Sequence, residues 1–145
     1  REISIGTGRK LKDGEDIAIL SFGHPGNFAT TAIRELRTEG LNPAHYDMRF
    51  VKPLDEAMLH EVCGNFQKII TVEDGAVNGG FGSALLEFMA KNNYTAEVKI
   101  LGIPDAIIEQ GTLKELQREA GFDSQAIAAA AREMMKEKIK SSFLG

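Results

Sequence analysis

The feature that most constrains this chain is a repeated pattern in which a short apolar run is followed by a loop and then by a helical repeat of apolar residues. The apolar runs, which are typical of buried strands, cover residues 16–22, 44–48, 68–73 and 97–103. The predicted helices cover 28–36, 55–63, 81–89 and 112–121, with a last helix from about residue 123. Strands that alternate with helices at this spacing favour an α/β fold. We expect three layers (α/β/α) around a mostly parallel sheet of about five strands, joined by right-handed crossovers.

The length and the cysteine content predict one domain that needs no covalent support. A chain of 145 residues buries roughly two-thirds of its unfolded surface, and Cys63 has no second cysteine to pair with. We therefore assign residues 1–145 to a single domain, in which 1–15 form a lead-in with a candidate edge strand at 10–12. The chain begins with Arg1 rather than Met, and no export signal explains a missing start. We expect it to be a piece of a longer protein.

The charge pattern excludes two classes of partner. The net charge is −4 and the lysines and arginines are mixed with acids, so no basic face for nucleic acid is predicted. No apolar run reaches the roughly 20 residues of a membrane span, and the amino end has no hydrophobic signal region. We expect no nucleic acid and no membrane as partners, and a cytoplasmic location.

Ligands of open α/β sheets collect at the carboxyl ends of the strands, which here means the loops 23–27, 49–55, 74–80 and 102–111. The glycine-rich loop before the third helix could offer free backbone N–H groups to an anion. The alternative is that its glycines let this helix approach another element closely, at a subunit contact for example. The candidate residues for these two roles are Gly79, Gly80, Phe81, Gly82 and Ser83.

Other polar residues of these loops have two interpretations each. His24 and Asn27 could bind a phosphate or a carboxylate, although Asn27 is better explained as a helix cap. A candidate interface loop, which could form ion pairs at a subunit contact, contains Arg49, Lys52 and Asp55. The carboxylates of Glu73 and Asp74 lie at a strand end, where they are further candidates for the subunit contact. They could also serve acid–base chemistry, or simply be solvated or bind loop amides.

The sequence offers no self-sufficient catalytic or metal site. His45 and His60 have no second ligand at metal spacing, and Cys63 has the spacing of a buried helix residue without a partner base. The glycine-rich loop matches neither the dinucleotide fingerprint nor the P-loop.

Several motifs nevertheless occur together in a specific order: MRFVKPLD at 48–55, VEDG at 72–75, GGFGSA at 79–84, LGIPD at 101–105 and EQG at 109–111. With the opening GEDIAILSFG at 14–23, they resemble the carboxy-terminal, transketolase-like domain of the 1-deoxy-D-xylulose-5-phosphate synthase family over nearly the whole chain. Two departures are the loop 23–27, which usually reads more like Gly-Thr-Met-Val, and Asp74, where many members have glutamate.

This resemblance implies an enzyme that uses thiamine diphosphate and Mg²⁺ to join pyruvate, with loss of CO₂, to glyceraldehyde 3-phosphate. The product feeds isoprenoid, thiamine and pyridoxal synthesis. In that family the cofactor lies in the first two domains, and the third mainly supports the homodimer. We therefore expect no catalytic or cofactor-binding residue in this chain, which would be inactive alone. Two alternatives remain: a regulatory module that binds an anionic effector, or the equivalent domain of a transketolase or of a 2-oxo-acid dehydrogenase β chain.

Overall fold

The computed structural model describes residues 8–22, 26–48, 55–74, 80–103 and 113–136. In chain order the elements are β1 (Arg9–Lys12), β2 (Ala18–Phe22), α1 (Gly26–Arg37), β3 (Ala44–Asp47), α2 (Glu56–Asn65), β4 (Lys68–Asp74), α3 (Phe81–Lys91), β5 (Glu97–Ile103) and α4 (Leu113–Met134). The predicted alternation of strands and helices is confirmed.

The strands form one sheet in the order β1-β3-β2-β4-β5. Strands β2 to β5 are parallel to one another, whereas β1 runs antiparallel to β3 at one edge. The class predicted from the sequence, a mostly parallel sheet of five strands, is therefore correct. The candidate edge strand at 10–12 is also confirmed, as β1.

Helices cover both faces of the sheet, and each face has its own apolar core. On one face Ile17, Ile19, Ile70 and Val72 pack against α1 and α4. On the other face, Leu20 and Ile69 pack against α2 and α3. The two cores share β2 and β4 because alternate residues of a strand point to opposite faces. The three-layer architecture follows directly from these short strands, which are buried on both sides.

Two predicted helix ends were wrong. The sequence favoured a stop at Gly121, but α4 runs without interruption from Leu113 to Met134. A glycine inside a helix costs only about 1 kcal/mol relative to alanine. The inward face of α4, which includes Ile127 and Ala131, packs on the sheet and can offset that cost. Likewise α2 continues one residue past Gly64 to Asn65. In contrast, Gly40 adopts a positive φ of 90° after α1, a conformation that is common just past a helix end.

The helices of the described segments include none that is long and apolar enough to cross a lipid bilayer.

Candidate functional site at the carboxyl edge of the sheet

The carboxyl ends of the parallel strands meet at one edge of the sheet, and the described part of this edge is built around Glu73, Gly80, Asp55 and the first turn of α1. Four candidate residues, His24, Arg49, Lys52 and Gly79, lie outside the described residues. Asp74 is described only as the last residue of β4.

Glu73 occupies the amino end of α3. Its side chain is nearly buried, with 9% of its surface exposed. Oε1 accepts a hydrogen bond from the backbone N–H of Phe81 (2.5 Å), and Oε2 accepts one from Gly82 (3.2 Å). These amides belong to the first turn of α3, which has no partners for them inside the helix. The negative carboxylate also interacts favourably with the positive end of the helix dipole.

Gly80 suits this position because the adjacent carboxylate leaves no room for a side chain, and not because of its backbone conformation. Its φ is −56°, which any residue can adopt. A Cβ atom at Gly80, however, would lie 2.0 Å from Oε1 of Glu73. A Cβ at Gly82 would lie 2.7 Å from the side chain of Ile100 on β5. The two glycines thus leave room for side chains of the same chain.

This arrangement bears on the anion-binding hypothesis. Two of the first-turn amides that an external phosphate or carboxylate would use, those of Phe81 and Gly82, already donate to Glu73. An incoming anion would have to displace a carboxylate that belongs to the protein. Ser83 is exposed beside this turn. An anion site or a subunit contact at residues 79–83 stays a prediction.

Asp55 connects the lead-in segment to α2. It is the N-cap residue of α2, and its Oδ1 accepts a hydrogen bond from the backbone N–H of Met58 (3.1 Å). Its Oδ2 accepts a second hydrogen bond from the N–H of Gly8 (2.7 Å), immediately before β1. Asp55 therefore caps α2, and the same carboxylate also fixes the segment immediately before β1.

The helix α1 begins at Gly26, two residues earlier than the predicted range of 28–36. Since α1 starts at Gly26, Asn27 lies inside the helix and is not its cap, which corrects that expectation. The side chain of Asn27 is exposed. The backbone carbonyl oxygen of Asn27 accepts a hydrogen bond from Thr31 Oγ1 (3.3 Å). This correction is small, because helix ends are defined to within one or two residues.

A buried polar pair that the sequence did not reveal links β2 and β3. Ser21 Oγ lies 2.8 Å from Nε2 of His45, and the two residues are 1% and 3% exposed. Burial lowers the pKa of His45 below its ordinary value, since a charged imidazolium would lose its hydration there. Asp47 opposes this effect and Lys12 adds to it. The alternation of side chains along each strand would have predicted that these two residues share one face of the sheet. It would not have predicted that they lie at hydrogen-bond distance.

The other two residues considered for chemistry, His60 and Cys63, take part in packing within the domain. His60 is on the exposed side of α2, where Nδ1 lies 2.7 Å from the hydroxyl of Tyr94 and the ring packs edge-on against Phe88. Cys63 is buried in the core between α2 and the sheet, and burial raises the pKa of its thiol to about 11. A thiol with so little thiolate is a poor nucleophile.

A separate polar cluster lies at the opposite, amino edge of the sheet, beside a cavity of about 270 Å³. Lys10 Nζ contacts Glu61 (3.0 Å) and Asp13 (3.1 Å), and the hydroxyl of Tyr46 donates to Glu61 (3.0 Å). The hydrogen bond with Glu61 raises the pKa of Lys10. Burial and then this hydrogen bond raise the pKa of Tyr46 to about 12. The groups satisfy one another, so this cluster ties β1 to α2.

Among the described residues, no group of three or more His, Cys, Asp or Glu side chains is placed to hold a metal ion.

Comparison with known proteins gives a consistent result. Residues 6–127 match the family model of the transketolase C-terminal domain. The 1-deoxy-D-xylulose-5-phosphate synthase of Cytophaga hutchinsonii is 62% identical over 133 residues, which are 92% of this chain and 21% of the relative. The synthase of Parabacteroides distasonis is 52% identical over 126 residues, 87% of this chain and 20% of the relative. The chain thus spans about a fifth of the length of these relatives.

Solved structures are similar as well. A split-gene transketolase, solved as an inactive β4 tetramer, superposes with a TM-score of 0.69 at 27% identity, over 89% of this chain and 44% of that one. The transketolase of Campylobacter jejuni superposes with a TM-score of 0.59 at 19% identity, over 88% of this chain and 18% of that one. At the lower identity the likeness concerns the fold alone.

Proposed function

Because this chain belongs to the transketolase C-terminal domain family, we propose that it is the carboxy-terminal domain of a 1-deoxy-D-xylulose-5-phosphate synthase. The observation that carries the proposal is the 62% identity to a synthase of that name over 133 residues. The whole protein would be a cytoplasmic transferase that uses thiamine diphosphate and Mg²⁺ to join pyruvate and glyceraldehyde 3-phosphate with loss of CO₂. This reaction supplies a precursor of isoprenoids.

The role of this domain in that enzyme is structural support. The sequence has no Gly-Asp-Gly diphosphate–metal motif, and the described residues include no metal-binding cluster. The residues present therefore do not fit the cofactor, which would bind to other domains of the same protein. Glu73 and Asp55, two carboxylates at the carboxyl edge of the sheet, bind backbone amides in the first turns of α3 and α2. Both act as helix caps.

The chain would contribute to assembly of a homodimer. One support is that the split-gene transketolase with the same fold is a tetramer of its β chains. A second is the candidate interface loop, which is rich in charge: Arg49, Lys52 and Asp55. Charged residues at a subunit contact favour one specific partner surface.

The equivalent domain of a transketolase is a weaker candidate, because the two solved transketolases described above are only 27% and 19% identical to this chain. An effector-binding module is a weaker candidate too, since Glu73 already accepts hydrogen bonds from two of the α3 amides that an anion would use.

The first experiment compares the isolated 145-residue chain with the complete protein. We expect the complete protein to form 1-deoxy-D-xylulose 5-phosphate from pyruvate and glyceraldehyde 3-phosphate. We expect the isolated chain to be inactive and to give no calorimetric heat with thiamine diphosphate and Mg²⁺. A complete protein that transfers ketol groups between sugar phosphates but does not use pyruvate would instead favour a transketolase. Mg²⁺-dependent cofactor binding to the isolated chain would contradict the assignment of a supporting role.

The second experiment tests assembly in the complete protein. We expect Arg49→Glu together with Lys52→Glu to raise the monomer fraction measured by analytical ultracentrifugation. Lys99→Glu, which changes an exposed lysine on β5 instead, is the matched control and should leave the dimer intact. An unchanged dimer in the double variant would remove the candidate interface loop from the subunit contact.

A further inference from the structure

The β1–β3 edge of the sheet contains a buried histidine in an unusual position. In the parallel register His45 lies beside Ile19, so its side chain points to the face covered by α1 and α4. On its other side His45 is paired with Lys12 of β1. The inward residues of α1 next to this face, such as Ala32 and Leu36, are apolar. The ring therefore lies in an apolar layer, one strand away from solvent.

The hydrogen bonding of His45 suits its neutral form. Ser21 is itself buried, and its hydroxyl can donate to an unprotonated Nε2 at 2.8 Å. Protonation of this nitrogen would reverse the bond and bury a positive charge. The charged groups that act on the ring are Asp47 on its own strand, which favours the charge, and Lys12 on β1, which opposes it. Arg37 at the end of α1 adds positive potential at Lys12.

The edge next to His45 is the part of the sheet best able to open. Strand β1 has only four residues, and its pairing with β3 contains an irregularity between Lys10 and Lys12, opposite His45. Such bulges leave a residue unpaired and disturb the ladder locally. By contrast, β4 pairs along seven residues with β5 and lies at the centre of both cores. Separation of β1 from β3 would expose His45 to water and leave the remaining strands paired.

We propose that the buried His45–Ser21 pair makes the β1–β3 edge a proton-sensitive latch, which stays closed over neutral His45 and opens when protonation makes burial of the ring unfavourable. The latch is independent of the reaction that the complete protein performs. Its ligand is the proton alone.

The direction of the pH effect follows from the geometry. Since the closed edge lowers the pKa of His45, the closed state binds fewer protons than the open state. The closed edge is fully stable above the ordinary pKa of 6.5 and loses stability as the pH falls below it. At pH 5.5, one unit lower, the open population rises by up to about tenfold.

Hydrogen–deuterium exchange of the intact protein, followed by mass spectrometry, tests the latch. After correction for intrinsic exchange, protection in the peptides covering β1 and β3 should fall by up to about tenfold between pH 7.5 and pH 5.5. Protection in β4 and β5 should stay constant. Unchanged protection in β1 and β3 would overturn the proposal, and an equal loss in all strands would overturn it too, because the opening would then be global.

Two variants assign the effect to one histidine. His45→Gln retains a hydrogen-bonding side chain but cannot titrate, so the pH dependence should disappear. His60→Gln removes an exposed histidine of α2 and should leave the pH dependence unchanged. Should His45→Gln fail to fold, NMR titration of the imidazole in the unmodified protein decides the question. A midpoint below 6.5 for His45 is expected, and a midpoint at or above 6.5 would overturn the latch.

Discussion

At the scale of single residues, the buried polar side chains of the sheet differ in whether they have partners. Ser21 and Glu73 have hydrogen-bond partners, whereas Thr71 Oγ1, fully buried in β4, has none among the described residues. A buried hydroxyl without a partner costs roughly 1–3 kcal/mol. Replacement by valine keeps the shape of the side chain and removes the unpaired oxygen. We expect Thr71→Val to raise the free energy of unfolding by about 1 kcal/mol, measured by urea denaturation.

The matched control for this change is Thr71→Ser, which keeps the hydroxyl and removes the methyl group. It should destabilise the protein by about 1 kcal/mol through lost packing. If Thr71→Val were destabilising instead, a buried water would have to bind Oγ1 in solution.

The burial of Cys63 predicts a chemically silent thiol. With a pKa of about 11, only about one thiol in a thousand is ionised at pH 8, and 4% of the residue is exposed. We expect the peptide that contains Cys63 to stay unmodified by iodoacetamide at pH 8 in the native protein. The same peptide should be labelled completely in 6–8 M urea. Rapid labelling in the native state would show that α2 separates from the sheet.

At the scale of elements, the start of α3 depends on a contact between Gly80 and Glu73. Gly80→Ala would place a methyl group 2.0 Å from the carboxylate and force it off the helix amides. We expect a loss of about 1–2 kcal/mol of stability, the usual cost of a lost helix cap. Gly64→Ala is the control, since Gly64 is an exposed residue of α2 where an added Cβ would meet no atom within 4 Å. It should stabilise by up to about 1 kcal/mol.

A double-mutant cycle separates this contact from a general effect of alanine. In a Glu73→Ala background the carboxylate is absent, so Gly80→Ala should cost much less than in the unmodified protein. Equal costs in both backgrounds would mean that the cap is not the reason for glycine at this position.

The elements also show what sequence reasoning could and could not reach. The strands were predictable because their apolar runs are short and buried on both faces. The uninterrupted α4 was not, because local propensity at Gly121 is weaker than the packing of the helix on the sheet. The edge at which the carboxyl ends of the strands meet was predictable from topology, but the hydrogen-bond partners of Glu73 were not. The hydrogen bond from the N–H of Phe81 to Glu73 joins residues eight positions apart, and no residue pattern specifies such a pairing.

At the scale of the whole molecule, both cores share one central strand. Ile19 points into the core under α1 and α4, and its neighbour Leu20 points into the core under α2 and α3. A substitution that weakens packing on one face therefore destabilises a strand that also forms part of the core on the other face. This shared strand predicts that the chain unfolds as one cooperative unit instead of one face at a time.

Tyrosine fluorescence can test this cooperativity, because the chain has no tryptophan and both of its tyrosines, Tyr46 and Tyr94, belong to the α2/α3 face. We expect Ile19→Ala, on the opposite face, to cost about 2–5 kcal/mol. It should shift the urea midpoint of tyrosine fluorescence as far as that of far-UV circular dichroism. Leu11→Ala, at a half-exposed side chain, should shift both midpoints little. A fluorescence midpoint that stayed fixed while the dichroism midpoint fell would mean that the two faces unfold separately, and β2 would then not couple them.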